Sequence, residues 1–458
     1  MRFTHFIKSR VRGTRPQWQI AQERRRRSKF LNLFTKRLAI FAIPAVLIAV
    51  VGVAISVSWY AYTQNRPSKP TTQTDVKPQT LTAIEIKELL KPLNLDRFKK
   101  KRIEISSRNQ KFLVETTLDI DLQHYLSKKL NTKTAKYLAI VTLDPATGRI
   151  QSLVGKNKVT PSGNPCTELQ FPAASIFKIV TAAAAIEVCG MRASTEVTYN
   201  GASNTLYKVQ LKERRNRYTN KTTLKQSFAK SVNPVFGKIG RNHLGRHTLE
   251  IYAHAFGFNQ NIEFELPLAP STVSFSEEPY QWAEIASGFN HTTVISPMHG
   301  ALISAAVANN GTIVTPTIVN QITKLDGTVL YRNRPQELSL AVTDQTAREL
   351  KLLMAATIHS GTCRKIFKDY RKDRVLSKLN IGGKTGSIYD RSHELKFDWF
   401  VGFAEVKNGE KKLSVAVLVA HEKYLGRRAG DYARLAMRHY FKKYFAQKKQ
   451  IAHNKNIS

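Results

Sequence analysis

Between Leu38 and Tyr62 the chain reads LAIFAIPAVLIAVVGVAISVSWYAY, without one charged side chain. As a helix this run would rise about 37 Å, enough to cross a hydrocarbon layer of about 30 Å. Core helices of globular domains rarely run so long uncharged, so the segment is read as a membrane-spanning anchor in contact with lipid. Trp59, Tyr60 and Tyr62 stand at its far end, where aromatic rings favour the lipid–water boundary. Upstream lie the run Arg24-Arg25-Arg26-Arg27 and the pair Lys36-Arg37. Positive flanks stay cytoplasmic, so the remainder of the chain is expected on the far side of the membrane. A cleaved leader would carry a shorter apolar core and a smaller basic head.

This anchor divides the 458 residues. We expect a basic cytoplasmic tail over 1–37, the span 38–62, a Pro/Thr/Lys-rich linker over 63–80 and a short juxtamembrane region over 81–116. A folded domain over 117–450 and a tail over 451–458 complete the chain. The net charge of +39 implies a polyanionic neighbour. The basic tail lacks aromatic interleaving and any nucleic-acid-binding signature, so anionic lipid headgroups explain it and no nucleic-acid partner is expected. Three cysteines, Cys166, Cys189 and Cys363, permit at most one internal disulfide.

Within the domain, Leu138–Gly155 reads as a hairpin turning at Pro145 to Gly148. An alanine-rich helix runs from near Ala174 to near Gly190. Further helices are expected over Leu81–Lys91, Thr222–Lys230, Pro234–Leu244, Pro297–Asn309 and Thr343–His359. Late in the chain LNIGGKTGS, DWFVGFAEV and KLSVAVLVAH form successive strands, followed by a helix over Ala429–Phe445. Strands at both ends with helices between predict an α+β fold: one antiparallel sheet flanked by helices, closed by both ends of the domain, with a mainly helical subdomain.

Chemistry enters at Ser175-Ile176-Phe177-Lys178. Residues three apart share a helix face, so the Lys178 amine can lie beside the Ser175 hydroxyl. A serine needs a base to act as a nucleophile near neutral pH, and a lysine serves only where burial or a nearby cation lowers its pKa. The spacing alone is weak, because Ser227-Phe228-Ala229-Lys230 repeats it. What gives it weight is the ordered company of Ser231-Val232-Asn233 and Lys384-Thr385-Gly386-Ser387. Gly245 interrupts any helix that would align His243, His247 and Glu250, so no metal centre and no cofactor are expected.

From about Thr117 to its end the chain resembles the transpeptidase domain of high-molecular-mass penicillin-binding proteins, a family of serine D,D-peptidases related to β-lactamases. TLDIDLQ, FPAASIFKIVTAAAAIE, QSFAKSVNPVF, ASGFNHTTVISPMHGALISAAVANNG and the Trp399–Phe403 strand follow the family's order. The resemblance implies a D,D-transpeptidase that crosslinks peptidoglycan stem peptides and is acylated covalently by β-lactams. It implies Ser175 as nucleophile, Lys178 as its base, Ser231 as proton relay, Asn233 as a ligand for substrate amide and Lys178, and Lys384 as a second positive charge. Thr385 and Ser387 would bind the substrate carboxylate, Gly386 would admit close backbone approach, and the backbone N–H groups of Ser175 and Ser387 would form the oxyanion hole. A bacterial cell membrane and an extracytoplasmic domain follow, with a glycan polymerase or other wall-synthesis protein as a candidate partner. The family's usual second threonine is here Ser387, and the stretch before the domain is too short for the family's large pedestal. A D,D-carboxypeptidase, a β-lactam hydrolase and a non-catalytic scaffold of the wall-synthesis machinery stand as alternatives.

Overall fold

Two nearly unbroken apolar runs from opposite ends of the chain, Tyr137–Leu143 and Leu413–Ala420, lie side by side at the centre of the structure. The computed structural model describes residues 81–91, 93, 100–107 and 109–455, all within one unit running from Pro78. Helix α1 (Ala83–Leu90) is followed by strands β1 (Arg102–Ser107) and β2 (Gln110–Thr116), helix α2 (Ile120–Lys129) and strands β3 (Ala135–Leu143) and β4 (Ile150–Asn157). The helices α3 (Lys178–Cys189), α4 (Leu224–Lys230), α5 (Asn233–Lys238), α6 (Gly245–Ala255), α7 (Pro279–Ser287) and α8 (Pro297–Ala308) come next. Strands β5 (Val319–Lys324) and β6 (Val329–Arg332), helix α9 (Asp344–His359), strands β7 (Leu379–Tyr389), β8 (Lys396–Val406) and β9 (Lys412–His421), and helix α10 (Ala429–Lys455) complete the order.

The central sheet has the order β7-β8-β9-β3-β4 and is antiparallel throughout, with Val417 opposite Ile140. Both faces are covered, and the two-residue period of a strand sorts its side chains between them. Val415, Val417 and Val419 join one core, with Tyr432, Met437 and Phe441 of α10, while Ala416, Leu418 and Ala420 join the other. On that second face lies α8, buried along its whole length, and beyond it the alanine-rich α3. Small side chains on these two helices allow other elements to approach from every direction. Gly190, in the left-handed conformation at φ 63°, ends α3.

The α+β class, the hairpin, the alanine-rich helix and the three late strands are found as expected. The turn between β3 and β4 holds Gly148 at φ 67°, where a Cβ would fall 2.1 Å from the Thr315 carbonyl oxygen. Three features differ. The helix expected over Pro234–Leu244 converts to π geometry over Ile239–Leu244, where Gly240 packs so closely on α7 that a Cβ would meet Ala286 at 2.2 Å. Helix α10 continues past Phe445 to Lys455, because its Lys, Gln and Ala residues are good helix formers. The stretch 81–116 packs into the same unit: Ile86, Leu89 and Leu90 enter the core, and β2 pairs with β5 in a second sheet of order β1-β2-β5-β6. All three cysteines are free thiols. The expected tail, membrane span and linker over 1–80 lie outside the described residues. Among the described residues no helix is long and apolar enough to cross a membrane.

Trp399 of β8 ties the sheet to the turn that carries Ser175. Its indole N–H donates to the Pro172 carbonyl at 2.9 Å, and its ring meets Phe171 edge-on at 6.4 Å. Trp399→Phe keeps most of the ring but strands a buried carbonyl, so it should lower the unfolding free energy by about 1–3 kcal/mol, read from urea unfolding at neutral pH. A change under about 0.5 kcal/mol would mean that the bond contributes nothing.

Candidate active site

Ser175 sits in a single 3-10 turn, Ala174–Phe177, that runs directly into α3. The turn is tight: Ala174 has φ 47°, unusual for a residue with a Cβ. It is pressed on from below by Gly288, at φ 65°, where a Cβ would stand 1.9 Å from the Ala174 carbonyl oxygen. Glycine at 288 lets the backbone after α7 come up under the turn.

One turn on, the Lys178 amine is fully buried and meets three oxygens. They are the Ser175 hydroxyl at 2.8 Å, the Asn233 side-chain carbonyl at 2.7 Å and the backbone carbonyl of Ser287. Burial, and then the charge of Lys384, hold its pKa well below the ordinary 10.5. An uncharged amine has two N–H donors and one lone pair. Both carbonyls can only accept, so they take the two donors. In that uncharged form the lone pair is left for Ser175, whose hydroxyl can donate to it. The arrangement can withdraw a proton from Ser175.

Asn233, which also donates to the Asn204 carbonyl at 3.0 Å, is placed by the first turn of α5. Two residues earlier, Ser231 closes α4 in the left-handed conformation, φ 59° and ψ 45°. Its hydroxyl accepts from the Lys384 amine at 2.9 Å. Lys384 is fully buried in β7 and donates also to the Thr385 carbonyl at 2.7 Å, and burial lowers its pKa to about 7. Beside it, Gly386 passes the Ser175 turn so closely that a Cβ would lie 3.2 Å from Ala174 Cβ and 3.4 Å from the Ser175 nitrogen. Thr385 and Ser387 face an open groove of about 1020 Å³ that Ser175, Ser231 and Asn233 also line. The three motifs thus converge on one groove. Of the second Ser-x-x-Lys copy, Lys230 lines the groove, but the Ser227 hydroxyl is buried without a hydrogen-bond partner among the described residues.

Sequence reasoning missed the ion pair behind Ser387. Arg428, just before α10, grips both oxygens of Asp398 at 2.7 and 2.9 Å, and the Ala429 N–H adds a third bond. Burial would raise the Asp398 pKa, but Arg428 and His421 outweigh it and hold it near 2. The Ser387 hydroxyl lies 3.4 Å from Asp398, and that of Thr385 lies 2.5 Å from Thr362. A carboxylate in the otherwise apolar run DWFVGF was the available signal, since a buried charge demands a partner. Cys363 lies near this cluster, but burial pushes its thiol up to about 12 and leaves it unreactive.

A serine backed by a buried lysine of lowered pKa, in a groove beside a sheet edge, defines an acyl-transfer class of site. Residues 138–438 match the penicillin binding protein transpeptidase domain, and the chain belongs to that family. It is 26% identical over 294 residues to penicillin-binding protein PbpB of Mycolicibacterium smegmatis, covering 60% of this chain and 44% of that protein. It is 24% identical over 323 residues to the peptidoglycan D,D-transpeptidase PbpA of the same organism, covering 61% of each. The chain therefore spans roughly half to three-fifths of these relatives. Penicillin-binding protein A from Mycobacterium tuberculosis superposes with a TM-score of 0.58 at 23% identity, over 70% of this chain and 81% of that one, which establishes a shared fold. That protein has also been solved as its penicillin G acyl-enzyme.

The buried lysines set a pH dependence. Lys384 holds its proton up to about 10.5 when unfolded but only to about 7 when folded, so folding releases a proton between those values. Stability should therefore rise with pH across about 7 to 10.5 and level off above it. Lys384→Met should flatten that rise in urea unfolding measured at a series of pH values. An unchanged slope would show that Lys384 keeps its proton in the fold.

Proposed function

We propose that the protein is a peptidoglycan D,D-transpeptidase working through a Ser175 acyl-enzyme and acylated by penicillin. The observation that carries the reading is the Ser175 hydroxyl, which lines the groove, 2.8 Å from a fully buried Lys178 amine that also meets the Asn233 and Ser287 carbonyls. Family membership and the relative's penicillin G acyl-enzyme support it.

In this reading a stem peptide lies along β7 with its terminal carboxylate against the Thr385 and Ser387 hydroxyls and an amide on Asn233. Ser175 Oγ attacks the carbonyl between the two terminal D-alanines as its proton passes to Lys178. The oxyanion forms at the backbone N–H groups of Ser175 and Ser387, where donors already in place stabilise developing charge. Collapse breaks the peptide bond. Ser231 hands a proton to the departing D-alanine, and Lys384 sustains the relay because a group near 7 both gives and accepts protons. A second stem-peptide amine then attacks the ester, is deprotonated by the reverse route and frees Ser175. Gly386 leaves room for both strands of the reaction. No cofactor enters any step. Delivery to water in place of the amine would make the protein a carboxypeptidase or a β-lactam hydrolase, and product analysis separates these outcomes. Retention of the fold without turnover would make it a scaffold.

We further propose that 38–62 anchors the chain in a bacterial cell membrane, with 1–37 cytoplasmic, 63–80 as a linker and the domain outside. In that setting a glycan polymerase would supply the strands to be joined. The charge-free run with its basic flank supports this placement.

A fluorescent penicillin should label the wild type covalently and leave Ser175→Ala unlabelled. Lys178→Met should fold but acylate at least about 100-fold more slowly, the usual scale of a lost general base. No label on a folded wild type would favour the scaffold reading.

A further inference from the structure

Between the end of α9 and the start of β7 the chain makes a series of short turns from Ser360 to Lys378. They enclose an open-mouthed cavity of about 610 Å³. Its wall carries five permanent cations, Arg364, Lys365, Lys368, Arg371 and Lys372, against one carboxylate, Asp369. Among the described residues none of the five forms an ion pair, whereas other cations of the domain do: Arg348 with Asp344, Lys351 with Glu405, and Arg438 with Asp373. Like charges gathered in a concavity repel one another and raise the local potential, a condition relieved by an anion from outside. The aromatic part of the wall is fixed: the Tyr370 hydroxyl lies 3.0 Å from His359 Nδ1, and Arg371 lies over the Tyr370 ring at 6.0 Å from its centroid.

We infer that this cavity binds a phosphate-bearing ligand. A single carboxylate would answer only a fraction of the charge. A diphosphate, or a phosphodiester within a larger molecule, offers several charged oxygens within reach of the two guanidinium forks and three ammonium groups. The site also adjoins the groove. Lys365 lines both, and Thr362, two residues before Arg364, meets Thr385 across 2.5 Å. A ligand held here would lie alongside the chain entering the groove, so the site would select or position a phosphorylated envelope component and not the reacting peptide itself.

The test uses the full-length protein in detergent at low salt, titrated calorimetrically with inorganic pyrophosphate and with glycerophosphoglycerol, the water-soluble phosphodiester of a lipid headgroup. The variant Lys368→Gln/Arg371→Gln/Lys372→Gln removes three exposed cations of the cavity. Lys212→Gln/Arg214→Gln/Arg215→Gln removes as many from an exposed loop elsewhere. Binding should fall at least tenfold in the first variant and stay unchanged in the second, with both unfolding at the wild-type temperature. Tighter binding of pyrophosphate would mark a diphosphate ligand, and tighter binding of glycerophosphoglycerol a phosphodiester. Failure of both to bind the wild type, or an equal loss in the two variants, would reduce the cavity to part of the protein's general positive charge and overturn the inference.

Discussion

Everything at the site depends on keeping one lysine amine out of water, where its proton is held less tightly. Burying a charged ammonium where Lys178 lies is costly, so burial, and then the charge of Lys384, pull its pKa well below 10.5. Once neutral it becomes directional, with two donors and one lone pair. The Asn233 and Ser287 carbonyls use the donors and thereby aim the lone pair at Ser175. The cage is assembled from three separate elements: α3 brings Lys178, α5 brings Asn233 and the end of α7 brings the Ser287 carbonyl. Helix packing in the subdomain is thus what sets the chemistry of a single nitrogen.

The sheet supplies the other half of the frame. Strand β7 is an edge strand, paired on one side with β8 and open on the other. An edge leaves backbone donors and acceptors unspent, and here it faces a groove wide enough for an extended peptide. Glycine at 386 lets this edge come within van der Waals distance of the nucleophile's turn. Burial of β9 and β3 on both faces makes that edge a fixed reference.

Much of this was legible in the residues. The apolar late strands, the alanine-rich helix and the three polar motifs carry local signals: periodicity, small side chains, and a glycine such as Gly190 at a helix end. Convergence of Ser175, Ser231 and Lys384 on one groove could be expected only because the motifs came as an ordered set, since no local rule links positions 231 and 384. The sheet β1-β2-β5-β6 was not legible, for its pairing of residues 112–116 with 319–324 leaves no trace in either segment. Nor was the π turn at Ile239–Leu244, which answers to the closeness of α7 and not to its own sequence. The Ser287 carbonyl was invisible in principle, because every residue has one. Asp398 was readable as a problem in need of a partner, but Arg428 could be named as that partner only from the fold.

Asp398 and the two lysines answer the same difficulty in opposite ways, and the difference lies in side-chain chemistry. Among the cationic residues at the site are Lys178, Lys384 and Arg428, and of these three Arg428 is the one paired with a carboxylate, Asp398. Lysine can lose its proton, so burial lowers the pKa of both Lys178 and Lys384, and the charge of Lys384 lowers that of Lys178 further. Arginine cannot, so Arg428 stays charged and must take Asp398 as a forked partner. Had a glutamate stood within reach of Lys178, it would have restored the proton and removed the lone pair from Ser175. The carboxylate therefore belongs where it is found, behind β7 and locked to Arg428, where it neutralises a cation that cannot titrate and stays clear of the two that can.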